Sequence, residues 1–277
     1  MRFNCQSISS AGIRLGEVGL GSNFKAKTPS VFVTTSRLTV PHTTLERFRK
    51  VVFPEGPENS RIAGALIFAD KLYETPALIV SEDLPNAHQF ANLHGFPLVL
   101  ALEPEHQEKL QNGPDFITVS NTSGAYKVKI ESFAALASKL QPDIMILPAD
   151  RISQGAPPKH VTKAINRTKW YIEQFMAKFE LDKPMIRPCL SKDDSPLEDH
   201  FGAVLVNMDE SDLERTSNIP GKMLRFARGP FNPEQIFAMA KRGIDIFDTS
   251  YVDEITNRFQ ALILRSTLPD QIGFELI

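Results

Sequence analysis

The chain has little with which to cross-link itself. Its 277 residues include two cysteines, Cys5 and Cys189, too few for a disulfide framework or for a four-ligand zinc site of their own, so a reducing compartment is the expected setting. Long apolar runs are missing as well. The longest, near 96–102 and 144–147, are strand-length and fall short of the roughly 18 to 20 residues that a bilayer span needs. Met1-Arg2-Phe3-Asn4-Cys5-Gln6-Ser7 lacks the basic-then-apolar order of a secretory signal. No charge sign dominates: 31 Lys and Arg against 33 Asp and Glu give a net charge of −2, which argues against gripping nucleic acid over the whole surface and leaves a local basic face open. Repeats and low-complexity tracts are absent, and the 20 prolines and 15 glycines are scattered, so one unit spanning 1–277 is expected.

What is present reads as an α/β protein, with 42% hydrophobic and 23% charged residues, near globular averages. About the first 50 residues are expected to be β-rich, with strand-like segments at 13–18 and 30–35. Asn59 or Ser60 is placed to cap a helix with apolar positions Ile62, Leu66, Ala69 and Leu72, ahead of a strand at Ala77-Leu78-Ile79-Val80. Ile130, Phe133, Ala134, Ala137 and Leu140 form a second helical stripe, closed by Gln141-Pro142 and followed by the buried-strand sequence Asp143-Ile144-Met145-Ile146-Leu147. A third helix is expected over 159–180, with Val161, Ile165, Ile172, Phe175, Met176 and Phe179 on its apolar side. Ala203-Val204-Leu205-Val206-Asn207 reads as a strand. Pro233-Glu234-Gln235 opens a helix that Gly243 stops, and the strand Ile244-Asp245-Ile246-Phe247 ends at Asp248. Repeated helix, short loop and apolar strand imply a mainly parallel sheet, either a (β/α)8 barrel or an open doubly wound sheet. With no G-x-G-x-x-G after a strand and no Walker A, the barrel is the preferred architecture.

Parallel α/β folds carry their sites beyond the carboxyl ends of strands, which singles out Asp150 and Asp248. A carboxylate there serves as nucleophile or general base, accepts from a heterocycle's N–H groups, or simply caps the next helix and orders a loop. Position alone leaves these readings open. Gly229, where Met223-Leu224-Arg225-Phe226-Ala227-Arg228 runs into Gly229-Pro230, either lets backbone approach a flat ligand or makes a turn. Lys159, His160, Lys163, Arg167, Lys169 and Lys178 lie mostly off the apolar stripe of the third helix, as a phosphate-tracking face or as solvated decoration. His42 and His94 have no Cys or carboxylate at metal-ligand spacing and read as structural.

In the same segments the chain resembles the tRNA-guanine transglycosylase family, and within it the accessory subunits. The residues that carry this are Gly229, Pro233-Glu234, Arg242-Gly243-Ile244-Asp245-Ile246-Phe247-Asp248, and Arg258 with Ala261-Leu262; then Gln141-Pro142-Asp143 through Asp150 with Ile165-Asn166-Arg167; and Arg14-Leu15-Gly16 with Val40-Pro41-His42-Thr43-Thr44-Leu45. They form three separated blocks over about half the chain, and 50–120 matches weakly. The resemblance implies a (β/α)8 TIM-type barrel and a part in exchanging guanine for queuine at wobble position 34 of tRNAs with GUN anticodons (Asp, Asn, His, Tyr). It places Asp248 at the nucleophile position and Asp150 and Gly229 in the base-binding region. It also departs from the catalytic pattern. The Asp-Ser-Gly-Gly that supplies a second aspartate is replaced by Asn121-Thr122-Ser123-Gly124-Ala125, a Gln-Gly-Gly has no counterpart in 184–200, and Pro-Thr-Arg after the nucleophile is Val252-Asp253-Glu254.

These losses make Asp248 a remnant and the chain a non-catalytic subunit, since missing acid–base and pocket groups cost several kcal/mol of transition-state stabilisation. The family also binds one Zn2+ through a C-terminal Cys-x-Cys-x-x-Cys and His module. The sequence to Ile277 does not contain it, so the barrel is expected to be incomplete at that end and no cofactor is expected within the chain. Implied partners are the catalytic queuine-inserting subunit as a heterodimer, tRNA and queuine. The implied location is the cytoplasm with peripheral attachment to the mitochondrial outer membrane, although no lipidation motif or amphipathic anchor is visible. Two other readings remain: an independent base-exchange enzyme using Asp248, and a queuine- or tRNA-binding module without chemistry.

Overall fold

Strands buried on both faces need no alternation of apolar and polar residues, and the central strands here are short continuous apolar runs such as Gly-Ala-Leu-Ile-Phe and Leu-Val-Leu-Ala. A computed structural model describes residues 2–20, 23–54, 56, 59–73, 86–102, 111–121, 124–152, 156–179, 182–190, 200–205, 216, 219–268 and 271–276. The chain opens with an antiparallel sheet of β1 (Arg2–Ile8), β2 (Arg14–Leu20) and β3 (Phe24–Thr28). It continues with β4 (Ser30–Thr35), α1 (Leu45–Val52), β5 (Gly64–Phe68), α2 (Ala69–Leu72), α3 (Ala87–Ala91) and β6 (Leu98–Ala101). A hairpin of β7 (Phe116–Asn121) and β8 (Gly124–Lys129) precedes α4 (Ile130–Leu140), β9 (Ile144–Ile146), α5 (Pro158–Met176), β10 (Met185–Cys189), β11 (Gly202–Leu205) and β12 (Leu224–Ala227). Last come α6 (Pro233–Ala240), β13 (Ile246–Asp248), α7 (Ser250–Asn257) and a second hairpin, β14 (Leu262–Leu268) with β15 (Gln271–Leu276).

Strands β4, β5, β6, β9, β10, β11, β12 and β13 pair in parallel in that order, and β13 returns to β4 through Ile246–Ser30 and Asp248–Phe32, so the barrel closes with all eight strands. This is the expected TIM-type barrel, and its end is complete in strands. Inside it Phe32 and Phe226 meet edge to face at 5.2 Å. Among the described residues no helix lies between β10 and β11 or between β11 and β12, where 191–199 and 206–215 are outside the description.

Capping chemistry explains where the helices begin and end. Asn232 and Gln235 form a reciprocal capping box at the start of α6, with Pro233 at its first position, and Gly243 at φ +86° ends the turn that follows. Gln141 closes α4 in the left-handed region just ahead of Pro142. Two expectations need correction, at 64–68 and in part on α5. Residues 64–68 form β5, leaving only the short α2 after them, because a run buried throughout carries no periodicity to separate strand from helix. Residues 30–35 form the expected strand and join the barrel, while the N-terminal sheet spans 2–28. The buried side of α5 is Ala164, Thr168, Tyr171 and Phe175, with Met176 exposed. The expected strand at 77–80, the tail of 203–207, Thr122-Ser123, Glu180 and Ile277 lie outside the described residues.

The N-terminal sheet docks at the end of the barrel where the strands begin. Arg14 is buried there, with Nε 3.3 Å from Asp245 Oδ1 and Nη2 donating to the carbonyls of Gly221 (2.6 Å) and Met223 (3.1 Å). Phe24 stands edge-on to Phe53 and Phe96, which joins the sheet to the α1 side of the core.

Candidate functional site at the barrel mouth

Helices return antiparallel to the strands in this fold, so the loops that follow the strands gather at one end and form the mouth. Asp248, the last residue of β13, is 4% exposed there. Its Oδ2 accepts from the N–H of Gly229 at 3.2 Å and its Oδ1 from the N–H of Ser250 at 3.0 Å. Gly229 reaches this position with φ +145°, and a Cβ on it would lie 3.1 Å from the Phe231 ring. Burial pushes the Asp248 carboxyl up to about 6, against the opposing pull of the Ser250 N–H, the Arg228 guanidinium and Gly229. The neighbouring strand end is tied in as well. Thr34 donates its N–H to Thr249 Oγ1 at 2.9 Å, and its hydroxyl donates to the Asp253 carboxylate.

Asp150, beyond β9 and on the far side of the barrel from β13, is 2% exposed and fully engaged. Arg167 Nη1 of α5 donates to its Oδ2 at 2.7 Å, and Asn112 Nδ2 donates to its Oδ1 at 2.9 Å. Asn112 in turn accepts the Thr118 N–H at 2.9 Å, and the Tyr171 hydroxyl donates to the carbonyls of Gly113 and Phe116. Asp150 therefore fastens α5 to the base of the β7–β8 hairpin. That hairpin carries the segment 121–125 singled out in the sequence: Asn121 ends β7, Gly124 begins β8, and 122–123 lie outside the described residues.

The hairpin also roofs the mouth. Ile117 lines a cavity of about 30 Å³ together with Ile146, Pro188, Val204, Arg151 and Arg228. Such a volume accommodates a couple of waters, whereas pockets for small organic ligands run to about 300 Å³ or more. Sequence reasoning placed Asp150, Asp248 and Gly229 at this end, and the structure brings Gly229 and Asp248 into contact while keeping Asp150 across the barrel. It missed Thr34, Thr249, Asn112 and the hairpin. The Asn112-Gly113-Pro114 turn was the one local signal for the last of these. Cys5 lies on β1 and Cys189 on β10, and among the described residues no three His, Cys, Asp or Glu side chains group as a metal site. No described helix is long and apolar enough to cross a membrane.

No family model matches the chain. It is similar to proteins named queuine tRNA-ribosyltransferase accessory subunit 2. The one from Drosophila mojavensis is 22% identical over an alignment that covers 97% of this chain and 71% of that protein. Those from Caenorhabditis briggsae and Caenorhabditis elegans are 33% identical over 66 residues, 24% of this chain. That match spans 18% of the length of each nematode relative. These homologues and the residues of the family resemblance point to the same group of proteins.

Proposed function

We propose that the chain is a non-catalytic accessory subunit of a queuine tRNA-ribosyltransferase. In this reading it pairs in the cytoplasm with the catalytic subunit that exchanges guanine for queuine at position 34 of GUN-anticodon tRNAs, and helps hold the tRNA. The observation that carries the reading is the likeness to an accessory subunit along 97% of the chain. The mouth gives it physical support. Ile117 lines a cavity of about 30 Å³ among the described residues at the strand ends, and Asp150 is held by Arg167 and Asn112. An incoming heterocycle would have to displace the hairpin and break a buried ion pair.

The test is co-purification with the catalytic subunit, followed by guanine exchange by each protein alone and by the mixture. Stable pairing with exchange only in the mixture is the expected result; no pairing between two folded proteins would sink the reading. The alternative, an independent enzyme with Asp248 as nucleophile, is favoured by one feature: two N–H groups hold that carboxylate at a strand's carboxyl end. It requires exchange by the chain alone and a covalent tRNA adduct that Asp248→Asn abolishes.

A further inference from the structure

Helix α5 turns one side to the barrel and leaves the other exposed. Ala164, Thr168, Tyr171 and Phe175 make the inner side. At 100° per residue Lys159, Lys163, Asn166 and Trp170 form a stripe on the opposite side, and all four are exposed. Lys169 and His160 flank the stripe, and Lys178 lies just beyond the helix, all exposed. The single exposed carboxylate on the helix is Glu173. Among the described residues none of these lysines has a carboxylate within ion-pair distance, whereas Arg167, on the inner flank, is committed to Asp150.

Trp170 is 51% exposed, an unusual placement for a ring of that size. Its neighbours three and four positions away are Asn166, Arg167, Glu173 and Gln174, with Lys163 two turns before it on the same stripe and Lys169 beside it, so it stands among polar groups and is not part of an apolar patch of the kind that buries against protein. A flat aromatic face among mobile ammonium groups is the arrangement that holds unpaired nucleotides, with a base stacked on the ring and phosphates beside the lysines. Because α5 runs back from the carboxyl end of β9, its first turns lie at the mouth, and Trp170 is about 17 Å further along.

We infer that the outer stripe of α5 is an RNA-docking surface: Trp170 stacks on an unpaired base while Lys159, Lys163 and Lys169 contact the flanking phosphates. Only the choice of RNA over DNA rests on the proposed function. Trp170 is the one tryptophan in the chain, so its emission reports on the site directly. Oligoadenylate titrated into the full chain is expected to quench that emission saturably, while heparin, a polyanion without bases, binds without quenching. Trp170→Leu weakens oligoadenylate binding roughly five- to a hundred-fold, read by anisotropy of labelled RNA. The slope of log affinity against log salt, about −2 for three phosphates, falls to about −0.7 in Lys163→Gln/Lys169→Gln and is unchanged in Lys241→Gln at the other end of the barrel. Oligoadenylate binding with unaltered emission, an unaltered slope in the double variant, or no binding at all overturns the assignment. Pairing with the catalytic subunit is a separate readout, so either proposal can fail while the other stands.

Discussion

Removing Arg167 is the sharpest test of what Asp150 does. The carboxylate is 3% exposed on its side chain, the guanidinium 19%, and Nη1 to Oδ2 is 2.7 Å. Arg167→Ala leaves a buried anion with Asn112 as its one remaining side-chain donor, and the loss of one partner of a buried pair costs about 3 to 5 kcal/mol. Arg167 keeps some access to water, so the lower end, about 3 kcal/mol, is expected, equivalent to a fall in Tm of roughly 6 to 12 °C for a chain of this size. Asp150→Asn instead leaves a cation that can turn towards solvent and should cost about 1 to 2 kcal/mol. In the double variant no unpaired charge stays buried, so its loss should fall short of the sum by at least about 1 kcal/mol. Urea unfolding followed by circular dichroism measures all three. Hydrogen exchange adds a local readout: the Thr118 amide, bonded to Asn112 Oδ1, should lose protection in Arg167→Ala. A loss below about 0.5 kcal/mol, or strict additivity, would refute the clamp and return Asp150 to the pool of groups free to meet a ligand.

Three further outcomes are expected. His88 faces acceptors on both nitrogens, Asp143 Oδ2 at 2.9 Å and the Leu93 carbonyl at 3.0 Å; the Asp143 bond, opposed by burial, raises its pKa above the ordinary 6.5. Its stabilisation is therefore complete below about pH 6.5 and is lost as pH rises through the raised folded value, so urea midpoints should fall towards pH 9 in the parent and less in His88→Gln. Gly229→Ala forces a side chain onto φ +145° and against Phe231; it should cost about 1 to 3 kcal/mol in thermal unfolding and shift the carboxyl titration of Asp248. Arg14→Ala should destabilise by about 3 kcal/mol at pH 7.5 and expose 2–28 to proteolysis, and by less at pH 5, because burial has pushed Asp245 up to about 6 and it is protonated there.

The barrel was legible because its strands are short apolar runs punctuated by capped helices. Asn232-Pro233 and Gly243 mark both ends of α6 unambiguously, and Gln141-Pro142 marks the end of α4. Residues 62–69 were not legible as a strand, since Ile62, Leu66 and Ala69 satisfy a helical period only because every neighbour is also buried. The face of α5 was legible in Ile165, Ile172, Phe175 and Phe179 but not in its two polar members, for the converse reason. Thr168 and Tyr171 read as polar or mixed, yet Thr168 accepts the Asp150 N–H through its hydroxyl and Tyr171 spends its own on the hairpin base, so both are buried with their polar atoms satisfied. Asp150 and Asp248 could be placed at strand ends from sequence. Their partners could not, because Asn112, Arg167 and Gly229 lie 17 or more positions away and pair only once the barrel closes.

Asp143, Asp150, Asp245 and Asp248, all buried or half-buried next to barrel strands, separate fastening from chemistry. Asp143 and Asp245 each precede a strand, and each accepts an N–H from the first two residues of the adjacent strand, Leu98 at 2.9 Å and Arg225 at 2.8 Å. Each also meets a cation, His88 or Arg14. They are register locks at the end of a barrel where stability is built. Asp150 sits at the opposite end yet has the same kind of environment: a cation, a side-chain amide and a hydroxyl on its own N–H. Asp248 differs. Among the described residues it has no ion pair; the N–H groups of Gly229 and Ser250 and the Ser250 hydroxyl bond its oxygens, the Arg228 charge favours its anion, and burial pushes its carboxyl up to about 6. Asp248 is fastened by neutral donors and not by a cation, so Asp248→Asn strands no buried charge and should change stability less than Arg167→Ala.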